Sequence, residues 1–308
     1  MVAADIIKEP QSDETGFVSL FVTAPDGLRL HVRRYGDRGR GLPIVCLPGL
    51  TRNGADFHEL ATALSRDMAQ PRLIITIDSR GRGLSDYDAN PENYSFPVEL
   101  ADLIAVITAL EVGPAIFLGT SRGGILTMLL GAIRPAAIAG VILNDIGPVI
   151  DVKGLMRIKG YAGKLPTPRT YEEGADILRR LGDAQFPALT PESWLRQAKQ
   201  AWRQERDAMV LAYDTNLAKT LENIDVERAP PPLWAQFGSL ARVPLMVVHG
   251  ANSDILSTAT LDAMRERRLD IDILEVPNQG HAPLLAEPDV IARIAAFVTL
   301  CDVSALGF

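Results

Sequence analysis

A regular alternation of short strand-like runs with segments of helical periodicity is the feature that most constrains the fold of this chain. The later runs are mostly unbroken apolar stretches, which is typical of strands covered on both faces. They lie at residues 43–47, 72–77, 115–118, 139–143, 245–248 and 271–276. Ahead of them, Phe17–Thr23 and Leu28–Tyr35 alternate apolar and polar residues around a turn with glycine and predict an antiparallel hairpin. The sequence therefore predicts an α/β fold with a mostly parallel sheet of eight strands and helices on both faces.

One stretch of the chain, residues 147–240, interrupts this alternation. It is helical in character and lacks the strand-like runs rich in Val, Ile and Leu that occur on either side of it. Because the alternation resumes afterwards, we interpret the stretch as a helical cap inserted into a single core domain. The predicted domains are a core of residues 16–146 and 241–308 and a cap of residues 147–240.

Charge and cysteine content argue against several classes of protein. The 308-residue chain carries a formal net charge of −7, whereas a protein that binds nucleic acid needs a dense basic surface. No apolar stretch reaches the ~18 residues of a membrane span, and the N-terminus lacks a signal-peptide pattern. Two cysteines, Cys46 and Cys301, are too few for a disulfide framework, and no His and Cys cluster indicates a metal. We expect a cytoplasmic monomer or homodimer that acts on a small molecule without a metal or other cofactor.

The sharpest motif is Gly119-Thr120-Ser121-Arg122-Gly123, which follows a predicted strand and precedes a predicted helix. A serine on such a tight turn has a strained backbone and an exposed hydroxyl, and small residues beside it let strand and helix pass closely. The N–H groups at the start of the helix favour negative charge that develops at the serine. The strand-turn-helix setting therefore makes Ser121 the predicted nucleophile.

A serine nucleophile needs a base, and the chain has four histidines. His31 lies in a predicted strand and His58 near the start of a predicted helix, where surface or packing roles are expected. His249 ends a predicted strand at the carboxyl edge of the sheet and is a competing candidate. His281 follows the last predicted strand at the same edge, after a glycine that permits an unusual backbone, and is the favoured general base.

The imidazole of His281 needs a carboxylate on its other nitrogen, which sets the tautomer and stabilises the imidazolium. Two aspartates follow predicted strands at the carboxyl edge of the sheet. Asp145 comes after residues 139–143, and Asp254 comes after residues 245–248. The chain order serine, aspartate, histidine holds for either residue. We favour Asp254 and keep Asp145 as the alternative.

Two backbone N–H groups are expected to stabilise the oxyanion of an acyl-transfer reaction. The residue after the nucleophile, Arg122, is expected to supply one of them. The loop that starts at Pro48 is expected to supply the other. Because Gly49 lets the backbone of this loop turn sharply, the N–H of Leu50 is the candidate.

Several of these segments together resemble the α/β-hydrolase superfamily, in its hydrolase-1 or meta-cleavage-hydrolase-like branch. The matching segments are PGLTRN from Pro48, DSRGRGLSD from Asp78, GTSRGG from Gly119, the loop that holds Asp254, and QGHAPLLAEP from Gln279. The resemblance extends from about residue 17 to residue 298. It implies an α/β-hydrolase fold in which Ser121 is the nucleophile, Asp254 the acid and His281 the histidine, with Leu50 as the first oxyanion donor.

The chain departs from this family pattern at two positions. Many members carry His-Gly where this chain has Pro48-Gly49, a change that costs little if only the backbone is needed. Many carry Met or Gln after the nucleophile, where this chain has Arg122. We expect the Arg122 side chain either to pair within the protein, which we favour, or to face the mouth of the active site and attract an anion.

These residues predict a serine hydrolase that cleaves a carboxylic ester or a lactone of a small organic substrate through an acyl-enzyme. The same machinery serves amides and carbon–carbon bonds beside a ketone, so a C–C or amide hydrolase for a small carboxylate-bearing substrate is the alternative. A non-catalytic ligand receptor of the same fold is a further one. The candidates for substrate contact are Arg52 beside the oxyanion loop and Tyr213 and Trp234 in the cap.

Overall fold

A sheet of nine strands organises the part of the chain that the computed structural model describes, which comprises residues 7–8, 16–224 and 229–305. The order across this sheet is β1-β2-β3-β5-β4-β6-β7-β10-β11, and β8 and β9 form a separate hairpin. The strands are β1 (Ile7–Lys8), β2 (Val18–Thr23), β3 (Arg29–Tyr35), β4 (Ile44–Leu47), β5 (Ile74–Ile77), β6 (Ala115–Thr120), β7 (Ile138–Asn144), β8 (Trp202–Glu205), β9 (Ala208–Leu211), β10 (Leu245–Gly250) and β11 (Asp272–Val276).

The pairing of these strands confirms the predicted fold class. β1 pairs antiparallel with β2, β2 pairs antiparallel with β3, and β3 pairs antiparallel with β5. From β5 to β11 all neighbouring strands are parallel. The eight predicted strands are all present, and β1 extends the sheet by pairing Ile7 with Phe21 of β2. A strand of two residues is too short to show a period, and for this reason no pattern in the sequence predicts it.

Helices connect the strands and flank the sheet. Within the described residues they are α1 (His58–Ser65), α2 (Phe96–Ala109), α3 (Arg122–Ile133), α4 (Val152–Tyr161), α5 (Tyr171–Gly182), α6 (Pro191–Ala201), α7 (Trp234–Gly238), α8 (Thr258–Arg267) and α9 (Pro288–Ala305). None of these described helices is long and apolar enough to span a bilayer.

Successive residues of the central strands alternate between two apolar layers, one on each face of the sheet. In β4, Val45 and Leu47 belong to the layer that includes α2, α3 and α8, whereas Ile44 and Cys46 belong to the layer that includes α1 and α9. All four side chains are buried. Burial of an aliphatic side chain of this size contributes about 1.5–3 kcal/mol. Two-sided burial is the physical reason that these strands have unbroken apolar sequences.

The two cysteines are free and buried. Burial raises the pKa of the Cys46 thiol, and it raises the pKa of the Cys301 thiol to about 12. Both thiols are therefore protonated at neutral pH and pack as small hydrophobic groups.

The segment between β7 and β10 was predicted to be helical, and this interpretation needs one correction. It contains helices α4, α5, α6 and α7, but it also contains the antiparallel hairpin of β8 and β9. The backbone after β9 continues into the core: the Gly83 N–H donates to the Ala212 carbonyl at 2.8 Å, and the Asp214 N–H donates to the Gly81 carbonyl at 2.7 Å. Tertiary contacts therefore hold this hairpin in place. Its first strand, Trp-Arg-Gln-Glu, has no strand-like apolar pattern, so its sequence does not predict a strand.

Candidate active site

Ser121 lies at the turn between β6 and α3, where the sequence predicts a nucleophile. Its backbone has φ 51° and ψ −114°, a conformation that costs on the order of 1–3 kcal/mol. Close approach of the chain requires the flanking glycines: a Cβ at Gly119 would collide with the backbone of Gly123, and a Cβ at Gly123 would collide with the carbonyl of Leu47. The turn thus presents the Ser121 hydroxyl at the carboxyl edge of the parallel strands.

His281 lies in the loop between β11 and α9 and contacts Ser121 directly. Its Nε2 is 2.8 Å from Oγ of Ser121, and its Nδ1 is 2.9 Å from Oδ2 of Asp145. The His281 backbone N–H also donates to Oε1 of Gln185, which follows α5, at 3.1 Å. Because both ring nitrogens have partners, the imidazole is oriented so that Nε2 can accept the serine proton.

The other three histidines have partners away from Ser121. His249 has its Nε2 3.0 Å from the Leu256 carbonyl oxygen, His31 lies between Ser19 and Asp78, and His58 contacts the Tyr35 hydroxyl. His31 and His58 therefore have packing roles, as expected, and the competing candidate His249 does not reach Ser121.

The aspartate that contacts His281 is Asp145, so the preference for Asp254 is corrected. Besides His281, the Asp145 carboxylate accepts a hydrogen bond from the Gly250 N–H at 2.9 Å and from Oγ of Ser253 at 2.6 Å. Its side chain is fully buried. Hydrogen bonds of this kind fix the position of a carboxylate.

Asp254 instead forms a bidentate ion pair with Arg157 of α4, with distances of 2.6 and 2.9 Å. Burial acts to raise the pKa of Asp254, but hydrogen bonds from Arg157 and Gln185 and the Arg157 charge hold it below the ordinary value. The physical reason for the correction is the strand order. Asp145 directly follows β7, the neighbour of β6, whereas Asp254 lies beyond a further turn after β10 and faces α4.

The two predicted oxyanion donors lie beside Ser121. Arg122 is the first residue of α3, where N–H groups have no acceptor within the helix. A Cβ at Gly49 would be 3.7 Å from Cβ of Ser121, which places the Gly49–Leu50 peptide next to the nucleophile. Among the described residues the Leu50 N–H has no backbone acceptor. Two N–H groups without a backbone acceptor among those residues thus lie close to Ser121.

Asp78 supports the loop that carries Leu50. Its carboxylate accepts a hydrogen bond from the Gly54 N–H at 2.6 Å and from the Leu84 N–H at 2.9 Å, and it contacts His31 at 2.8 Å. It therefore joins the segment after the oxyanion loop to the DSRGRGLSD segment. This explains why the aspartate of that motif is buried although it is not in contact with Ser121.

The Arg122 side chain pairs within the protein, which is the favoured one of the two expectations. Its Nε donates to Oε2 of Glu99 at 2.8 Å, and its Nη2 donates to the Tyr94 carbonyl at 3.1 Å. The guanidinium lies 4.0 Å from the ring centroid of Phe96. It does not face the mouth of the site.

A cavity of about 210 Å³ lies over Ser121 and His281. Most of its lining is apolar, and about half of the lining residues come from the segment between β7 and β10, including Ile158, Leu178, Phe186, Leu189 and Trp194. A concave, mainly apolar surface with a few polar groups is typical of a site for a small molecule.

Two of the three predicted substrate-contact residues, Arg52 and Tyr213, line this cavity, and Trp234 does not. Trp234 packs against Phe237. The guanidinium carbon of Arg267 lies over the Trp234 ring, 3.9 Å from the ring centroid. The expectation for Trp234 is wrong because α7 packs against α3 rather than over the nucleophile.

Both arginines of the cavity wall are paired with carboxylates. Arg52 contacts Asp56 at 2.8 and 2.7 Å and also donates to Gln197 and Gln200 of α6. The second, Arg157, pairs with Asp254 as described above. Sequence reasoning missed Arg157, although an arginine on the apolar face of an amphipathic helix is a signal that could have pointed to it. Among the described residues no group of His, Cys, Asp and Glu side chains could hold a metal ion.

Comparison with known proteins identifies the family. The model of the alpha/beta hydrolase family matches residues 44–294, and the chain belongs to that family. A 3-hydroxybutyrate-oligomer hydrolase of Cupriavidus necator is 34% identical over 94% of this chain and 98% of its own length. A 2-(acetamidomethylene)succinate hydrolase of Mesorhizobium japonicum is 26% identical over 86% of this chain and 90% of its own. The crystal structure of an alpha/beta hydrolase from Novosphingobium aromaticivorans has a TM-score of 0.85, with 37% identity over 92% of this chain and 99% of that one. The chain is thus a hydrolase of the α/β class.

Proposed function

We propose that this chain is a serine hydrolase that cleaves a carboxylic ester or a lactone of a small organic substrate. The observation that carries the proposal is the hydrogen-bonded series Asp145–His281–Ser121, with distances of 2.9 and 2.8 Å, at the floor of the cavity. In this proposal Ser121 is the nucleophile, His281 the general base and Asp145 the carboxylate that orients it.

The mechanism starts when Nε2 of His281 takes the Ser121 proton as Oγ attacks the carbonyl carbon. The negative charge of the tetrahedral intermediate is stabilised by the N–H groups of Leu50 and Arg122. The intermediate collapses as the imidazolium protonates the leaving alcohol, which leaves an acyl-enzyme on Ser121. Water activated by His281 then attacks this ester, and the acid departs while the proton returns to Ser121.

The cavity supports a substrate with a short, uncharged acyl chain. Its lining is mainly aliphatic and aromatic, and the charges of Arg52 and Arg157 are balanced by Asp56 and Asp254. The relative from Cupriavidus necator carries the name 3-hydroxybutyrate-oligomer hydrolase. We therefore propose short esters of hydroxy acids as the substrate class, with the uncharged acyl chain in the apolar cavity and the terminal carboxylate of a linear oligomer outside it.

A second candidate is an amide or C–C hydrolase for a small carboxylate-bearing substrate. The observation in its favour is the presence of two arginines, Arg52 and Arg157, in the cavity wall. A relative at 26% identity is named for the hydrolysis of an acetamidomethylene succinate. For this function one arginine would have to exchange its aspartate for the substrate carboxylate, a requirement that a neutral ester does not impose.

The test is steady-state hydrolysis of p-nitrophenyl esters of rising chain length, linear 3-hydroxybutyrate dimer and trimer, a lactone, an aryl amide and a dienoic ketoacid. Wild type, Ser121→Ala and the control Ser304→Ala, which changes an exposed serine near the end of α9, are measured in parallel. We expect ester turnover that falls by at least about 10³-fold in Ser121→Ala and is unchanged in Ser304→Ala. Turnover of the amide or ketoacid alone would establish the second candidate. Binding without serine-dependent turnover would indicate a receptor.

A further inference from the structure

A buried cluster of two arginines and one glutamate lies behind the proposed oxyanion hole. Glu99 of α2 accepts from Nη1 of Arg82 at 2.7 Å with one carboxylate oxygen and from Nε of Arg122 at 2.8 Å with the other. The side chains of Glu99 and Arg82 are 2% and 1% exposed. One carboxylate therefore neutralises only one of two buried guanidinium charges within the cluster.

Each arginine of this cluster is connected to one of the two oxyanion donors. Arg122 carries one donor N–H itself. Arg82 donates through Nε to the carbonyl oxygen of Leu50 at 2.7 Å and through Nη1 to the Arg80 carbonyl at 2.7 Å. Through Arg82 and Arg122, Glu99 thus links the carbonyl of Leu50 to the first residue of α3. A network of this kind holds two backbone donors more rigidly than either loop could alone.

The three residues of the cluster together carry one excess positive charge, and the adjoining Arg80 is paired with three aspartates. The Nη2 of Arg82 is buried and has no partner within the described part of the chain. Arg122 lies in the first turn of α3, where the helix dipole already favours anions over cations. Placing a cation there opposes the dipole in the resting protein, and the cost is recovered when a negative charge forms at Ser121. In a desolvated environment such a charge acts more strongly than in water.

We infer that Arg82 and Glu99 are positioning residues for the oxyanion hole, and that the net positive charge of Arg82, Glu99 and Arg122 stabilises the tetrahedral intermediate. This inference rests on the proposed function. The cluster binds no substrate; it acts through the N–H groups of Leu50 and Arg122. Its effect is confined to states with a negative oxygen, so it changes the rates of acylation and deacylation and leaves ground-state binding unchanged.

Two substitutions separate the positioning from the charge. Arg82→Met removes the contact with the Leu50 carbonyl and one charge, while Glu99 and Arg122 remain as a balanced pair. Arg122→Met removes one charge as well but retains the contact between Arg82 and Leu50. Asp302→Asn is the matched control, because it breaks the buried Arg72–Asp302 ion pair far along the chain from the oxyanion loop.

The variants are assayed with p-nitrophenyl butyrate, and two affinities are measured. One is for an alkyl trifluoromethyl ketone, which forms a tetrahedral oxyanion adduct with serine, and the other is for butyramide, an uncharged analogue of the substrate. We expect kcat to fall roughly 10- to 100-fold in Arg82→Met and roughly 3- to 10-fold in Arg122→Met, since a lost oxyanion donor costs about 10²–10³ and a displaced one less. KM and butyramide affinity should stay within about threefold, and ketone affinity should weaken in parallel with kcat/KM. Asp302→Asn should change none of these.

Unchanged kcat and ketone affinity in Arg82→Met, or a raised KM with normal kcat, would overturn the inference while the proposed function stands. Absence of Ser121-dependent turnover in the wild type would remove both. If Arg82→Met does not fold, Arg82→Lys supplies the same test, because a lysine keeps the charge but cannot hold Leu50, Arg80 and Glu99 with one fork. In Arg82→Lys we then expect a partial loss of kcat, and full activity would contradict the positioning role.

Discussion

The loops around Ser121 and the cap segment, the chain between β7 and β10, are held by different kinds of interaction. Around Ser121, contacts are made by backbone and by buried charge: Asp145 accepts three hydrogen bonds, and Gly119 and Gly123 have no room for a side chain. At the cavity rim the cap segment meets the core through the side chains of Gln185 and Gln200, and elsewhere its backbone also pairs with the core, as at Asp214 and Gly81. The proposed catalytic residues thus lie where backbone contacts and buried charges fix their positions. The shape of the cavity depends more on side-chain contacts, which single substitutions can alter.

A difference in rigidity of this kind has a functional meaning. A catalytic series works only within a few tenths of an ångström, so each of its members is fixed by several partners. A substrate pocket needs only the right volume and polarity, and an apolar wall tolerates substitution more easily than a hydrogen-bonded series. Three experiments test this comparison.

The largest effect is expected at Asp145. Asp145→Asn should lower kcat for a p-nitrophenyl ester by about 10³–10⁴-fold, because an amide neither sets the His281 tautomer nor stabilises the imidazolium. Asp254→Asn should cost less than tenfold, because Asp254 contacts Arg157 and not His281. Both variants are compared by steady-state kinetics at equal, confirmed folded fractions. A collapse of kcat in Asp254→Asn with an active Asp145→Asn would return the acid to Asp254.

An intermediate effect is expected from one substitution made in both regions. Gly123→Ala in α3 should destabilise the protein by roughly 3 kcal/mol, because the new Cβ meets the backbone and side chain of Leu47. Gly160→Ala in α4 meets no atom within 4 Å and should stabilise by about 0.5–1 kcal/mol. Urea unfolding with a shared m value gives the two free energies. Equal changes would mean that the two regions are packed alike.

The smallest effect is expected in the cavity wall. Trp194 lines the cavity and Trp234 does not. Trp194→Phe should therefore shift the ratio of kcat/KM for hexanoyl over butyryl esters by about three- to tenfold toward the longer chain. Trp234→Phe should leave this ratio unchanged. An equal shift in both variants would show that chain-length preference does not depend on the wall that Trp194 forms.

Much of the fold and part of the candidate site follow from local sequence patterns. The parallel strands are readable because two-sided burial demands unbroken apolar runs, as in Ile44–Leu47. Ser121 is readable because its turn requires glycines at fixed offsets. The position of His281 can be predicted because this residue follows the last strand, at the carboxyl edge of the sheet where β6 also ends. These features depend on neighbours within a few residues, and such neighbours are visible in the sequence.

Glu99 was not singled out from the sequence, although its setting carries a signal. It lies in the largely apolar helix α2 with Asp102 one turn later, and both side chains are buried. A buried carboxylate needs a cation or several donors. The partners Arg82 and Arg122 lie 17 and 23 positions away in the chain, so the sequence indicates that partners exist but does not identify them.

The sequence by itself determined the fold class, the tight turn at Ser121 and the histidine at the carboxyl edge of the sheet, because each depends on a short-range pattern. Only the tertiary structure decided that Asp145 rather than Asp254 contacts His281, and that Trp234 lies away from the cavity. It also decided that the cap segment contains a hairpin and that Tyr213, just after this hairpin, pairs with Arg82 in the loop after β5. These outcomes depend on which strands become neighbours and which helix face packs inward. Such contacts join residues distant in the chain, and no local period records them.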